Sequence, residues 1–118
     1  MNSFQALVSY WNTKLKLPVY EQGQVPDRAI LPYCTVTLAD SSNADRTTLT
    51  VFTWHSPDKN IERMEYADIL HNAIPVQGER IEIDGGRLLI SREGRIELYQ
   101  DDGAIANRMG YEVRYYNI

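Results

Sequence analysis

The chain has 118 residues, with 16 acidic against 12 basic side chains, a net charge of −4 and a pI near 5.1. That length makes one domain, residues 1–118, large enough to bury a core without disulfide or metal staples. The acidic balance argues against a phosphate-binding surface, because nucleic-acid affinity depends on clustered Lys and Arg. Cys34 is the only cysteine, so no intrachain disulfide is available. It lies in an apolar run, Tyr33-Cys34-Thr35-Val36, which reads as a buried structural thiol in a reducing compartment. No apolar run reaches the length of a membrane span. The start, Met1-Asn2-Ser3-Phe4, lacks the basic and apolar regions of a signal peptide, so the chain is expected to fold where it is made.

In chain order, Phe4, Leu7, Val8, Trp11 and Leu15 recur at helical spacing, with Asn2 or Ser3 as cap and Pro18 as stop. Pro18-Val19-Tyr20 fits a short edge strand, and residues 21–30 read as a surface loop. Tyr33 to Asp40 alternates as a strand. The small polar stretch 40–46 (DSSNADR) then connects it to an antiparallel neighbour, Thr47 to His55. Ser56-Pro57-Asp58 opens a second helix, in which Ile61, Met64, Ala67, Leu70 and Ile74 form the apolar face and Glu62, Glu65 and Asp68 point to water. On this reading Trp54 packs beneath that helix, sharing a face with Phe52.

After Pro75, Ile81-Glu82-Ile83 and Leu88-Leu89-Ile90 form strands about a turn at Asp84-Gly85-Gly86. Arg92-Glu93-Gly94-Arg95 reads as the next turn, and Ile96, Leu98 and Gln100 alternate as a further strand. Residues 104–109 read as a helical turn or a bulged excursion before a last strand, Tyr111 to Tyr116. Strands in runs, not in strict alternation with helices, predict an α+β fold. Its mostly antiparallel or mixed sheet has two helices packed against it.

Residue types that carry chemistry do not assemble into a motif. His55 and His71 have no second ligand at a spacing such as HExxH, so no metal site is expected. Glu62, Glu65 and Asp68 read as a solvated charge row, and Gly85-Gly86 is neither GxGxxG nor followed by a helix. No GxSxG elbow occurs. Tyr111, Tyr115 and Tyr116 lack the basic neighbours of an RNA-binding sheet. No catalytic residue and no cofactor is therefore assigned. An interaction protein is expected, since Tyr and Trp are enriched at interfaces.

Several segments in order resemble the tail terminators of long-tailed phages and prophages of Gram-positive bacteria, also called tail-completion or minor capsid proteins. They are the aromatic first helix, LPVYEQGQVPDRAILPYCTVTL at 17–38, VFTWHS with its following helix, ERIEIDGGRLLISREG at 79–94, and the closing GYEVRYYNI. The resemblance implies a terminator-like fold and a structural protein of the virion, assembled in the host cytoplasm and not an enzyme. Six copies would form a ring on the head-proximal end of the tail. The partners would be other copies, the tail tube protein and a head-completion or connector protein, with DNA passing through the lumen unbound and no membrane involved. A ring needs two different patches of one subunit to meet. Asp40, Asp45, Asp101 and Asp102 are candidates for lumen or subunit contacts, and the 40–46 loop with Tyr115 and Tyr116 for the patches. The alternatives are another head–tail connector or head-completion protein and, in a different class, a small enzyme or ligand-binding domain. The latter would show a deep pocket holding His55 or His71 beside a carboxylate. A nucleic-acid binder is the third, against which the acidic pI speaks.

Overall fold

In this computed structural model residues 2–40, 46–101 and 103–117 are described, with Asp40, Arg46 and Asn117 described in backbone only. The element order is α1 (Ser3–Leu15), β1 (Val19–Glu21), β2 (Tyr33–Asp40), β3 (Arg46–His55), α2 (Asn60–Ala73), β4 (Glu79–Ile83), β5 (Gly86–Asp101) and β6 (Ala104–Asn117). The fold is α+β, with a six-stranded mixed sheet in the order β1-β2-β3-β6-β5-β4. β1 pairs in parallel with β2, and every other pair is antiparallel.

Local chemistry sets the element ends. Asn2 caps α1 through a reciprocal box with Gln5, each side chain accepting the other residue's backbone N–H. Lys16, left-handed at φ 56°, returns its N–H to Asn12 and closes the helix before Pro18. Gly85 at φ 76° supplies the positive φ of the β4–β5 hairpin.

Both helices lie on one face of the sheet. Leu7, Trp11 and Leu15 of α1 and Leu70 with Ile74 from α2 pack on Cys34, Val36, Leu49, Val51, Ile90, Met109, Tyr111 and Val113. The sheet curls so that α1 touches both outer strands, β1 and β4.

Five expectations need correction. α2 begins at Asn60, because Ser56 to Lys59 closes a turn through the Lys59 N–H and the Ser56 carbonyl. Its buried face is also rotated: Ile61 is 75 % and Met64 53 % exposed, while Glu62 turns inward. Trp54 is buried on the face away from the helices. Val51, Thr53 and His55 face α2, so alternation sends Phe52 and Trp54 the other way. Residues 92–95 are not a turn, because β5 runs through them with a bulge between Glu93 and Glu97 in which Gly94 adopts φ 83°. Residues 104–109 are strand, since Asp101 and Ala104 close a hairpin directly.

Candidate functional site

Among the described residues, the largest polar constellation in the interior lies where α2 crosses β3 and β6. His55 Nδ1 is 2.8 Å from Glu62 Oε1, and its Nε2 is 3.0 Å from Thr53 Oγ1. Asn107 donates to Thr53 Oγ1 at 3.0 Å and to the Arg63 carbonyl at 2.7 Å, while its own carbonyl accepts from Arg63 Nη1 at 2.9 Å. Carboxylate, imidazole and hydroxyl thus follow one another as in a proton relay. Thr53, His55 and Asn107 are all fully buried, however, and α2 would have to lift before a substrate atom reached the hydroxyl. The arrangement pairs the side chains of Thr53, His55 and Asn107 and ties α2 to the sheet. The sequence hid it because His55 and Glu62 are separated by a strand end, a turn and the first turn of a helix. Among the described residues no group of three or more His, Cys, Asp or Glu side chains could hold a metal ion, and no helix is long and apolar enough to cross a membrane.

Burial shifts the ionisation of Cys34, Tyr111 and Tyr10. Cys34 sits in the core, which pushes its thiol up to about 12. Tyr111 donates to the Leu70 carbonyl at 2.9 Å, and burial raises its phenol well above the ordinary value. Tyr10 is raised by burial and by its hydrogen bond to Glu79.

The outer surface is different in kind. Leu98 and Tyr99 near the end of β5, Tyr115 and Tyr116 near the end of β6, and Ile61 with Met64 on α2 are all exposed. Tyr99 meets the stacked Phe52 and Trp54 rings edge-on. Trp54 also donates to Thr35 Oγ1 at 2.9 Å, beneath a cavity of about 420 Å³ that residues of the 22–33 segment help to line. β4 pairs with β5 only as far as Ile90, so β5 from Ser91 to Asp101 forms an outer edge of the sheet.

The sequence-derived contact residues fall into two groups. Asp101 is exposed at the end of β5 and lines the cavity near Trp54. Tyr115 and Tyr116 lie at the opposite end of the β5–β6 ribbon, opposite Leu88 and Arg87. Asp40 ends β2 opposite Thr47, at the same end of the sheet as the two tyrosines, and its side chain is outside the description. Asp45 and Asp102 lie outside the described residues. Sequence reasoning missed Leu98, Tyr99 and the open β5 edge, because it broke β5 at Gly94.

No family model and no curated protein matches the chain. A solved structure, whose designation names no activity, superposes over 100 % of this chain and 99 % of its own with a TM-score of 0.61 and 14 % identity. That likeness concerns the fold.

Proposed function

We propose that the protein is an assembly subunit of a phage or prophage virion, a tail terminator that caps the head-proximal end of the tail as a ring. The observation that carries this reading is the outer edge of β5 from Ser91 to Asp101, with Leu98 and Tyr99 exposed at its end. An open strand edge beside exposed large apolar side chains is a ready surface for another chain. Its counterpart on a neighbouring copy would be a different patch, as a closed ring requires. The ordered segments that resemble tail terminators supply the choice among assembly proteins.

Electron microscopy of particles from a phage lacking this gene tests the proposal. Tails of abnormal length are expected, with wild-type length restored by complementation. Normal free tails beside unjoined heads would instead assign the chain to head completion.

A further inference from the structure

β4 is the last strand of the sheet, and alternate residues of such a strand turn their backbone N–H and C=O groups away from the sheet. A recess flanks it on each face. On the face away from the helices, a cleft of about 700 Å³ is lined by Arg80, Arg87, Leu89, Tyr116 and Gln77. On the helix side, a recess of about 340 Å³ lies between β4 and α1, lined by Ala6, Ser9, Tyr10, Thr13, Lys14, Ile81 and Glu82.

The two recesses differ in chemistry. The β4–β5 register pairs Arg80 with Leu89 and Glu82 with Arg87, which puts both arginines on one face. Among the described residues neither guanidinium has an ion-pair partner, although Glu82 stands opposite Arg87. Glu79, the acid that lines the cleft, is engaged by the Tyr10 hydroxyl at 2.8 Å and Lys14 at 3.9 Å. Two arginines without an ion-pair partner among the described residues, in a chain of net charge −4, make this a local anion-accepting surface. The α1 side offers small helix side chains at Ala6, Ser9 and Thr13 and the half-buried Ile81, with Tyr10, Lys14 and Glu82 at its rim.

We propose that the free edge of β4 is a strand-addition site for an extended segment of a partner protein in which acidic residues alternate with small apolar ones. A strand added there projects successive side chains to opposite faces. Its acids meet Arg80 on β4 and reach toward Arg87, one strand further in across from Glu82; its apolar residues enter the α1 recess, and its backbone completes the β4 ladder. A plain phosphate ligand would use the arginines alone and leave the edge and the α1 recess unexplained. This site is separate from the β5 edge and does not depend on the ring.

The test is fluorescence anisotropy with a labelled octapeptide of alternating Glu and Val. Saturable binding is expected, at least tenfold weaker to the R80A/R87A double variant and at least tenfold weaker to Ser9→Trp, which fills the α1 recess. All three side chains lie outside the buried core, and circular dichroism checks that the variants fold. A Lys–Val peptide and a peptide with proline at its centre should fail to bind. Absence of Glu–Val binding to the unaltered chain would overturn the proposal. So would undiminished affinity in both variants, equal binding of the proline peptide, or displacement by inorganic phosphate at concentrations comparable to the peptide.

Discussion

Gly86 opens β5 so close to β6 that a Cβ there would come 2.3 Å from the Tyr116 carbonyl oxygen, with the Tyr115 ring 3.3 Å away on another side. Backbone cannot yield as a flexible side chain does, so Gly86→Ala should cost about 1–3 kcal/mol by overpacking, read as a lower urea midpoint with an unchanged slope. Tyr111 shows the milder case. Tyr111→Phe keeps the ring against Trp11, at 4.9 Å between centroids, and removes the hydroxyl that reaches the Leu70 carbonyl. The expected loss is about 1 kcal/mol, rising toward about 3 if the buried carbonyl finds no water. Cys34 is 0 % exposed, so a maleimide should label it at the rate of unfolding and not at the rate of a free thiol.

The elements show which signals in the chain were readable. α1 was legible because its cap, its apolar spacing and the stop at Pro18 agree. β1 to β3 were legible from alternation and proline placement. α2 was half legible: its existence followed from spacing, but Ile61 and Met64 look like core residues and lie outside it. Periodicity finds a helix more readily than it finds which face the sheet buries, and here a polar group decides that face. Glu62 and Arg63 turn inward because His55 and Asn107 wait beneath them. One substitution checks this rotation, and two others test the face that is buried. Ile61→Glu should change stability by less than about 0.5 kcal/mol, as exposed positions do. Leu70→Ala should cost about 2–5 kcal/mol from the cavity it leaves. Asn107→Leu, which strips partners from Thr53 and Arg63, should cost about 1–3 kcal/mol. The β5 bulge was not legible, since Gly94 between charged residues reads equally as a turn, and only pairing with β6 shows the strand continuing. The interior relay was invisible for the same reason: it exists through tertiary contact.

At the scale of the whole molecule, alkaline pH gives a test of the packing. Cys34 has an ordinary value of 9.0, and burial moves it up to about 12 in the folded chain; Tyr10, Tyr66 and Tyr111 are also raised above their ordinary 10.0, burial being the largest cause in each. Each group ionises first in the unfolded chain, so its contribution is fully present below the unfolded value and shrinks as pH rises toward the folded one. The melting temperature should therefore hold up to about pH 9 as far as these groups set it, then fall steadily toward pH 12. A melting temperature that rose above pH 10 would contradict the burial of these side chains.

The same molecule presents an outer edge along β5 and a flanked edge at β4, and association through the first is the centre of the account. The most direct measurement is an image reconstruction of the head-proximal end of assembled tails. The expected result is a closed ring of this chain, with β5 between Ser91 and Asp101 covered by the neighbouring copy. Tails that lack the chain there, or a ring that leaves this edge open to solvent, would contradict it.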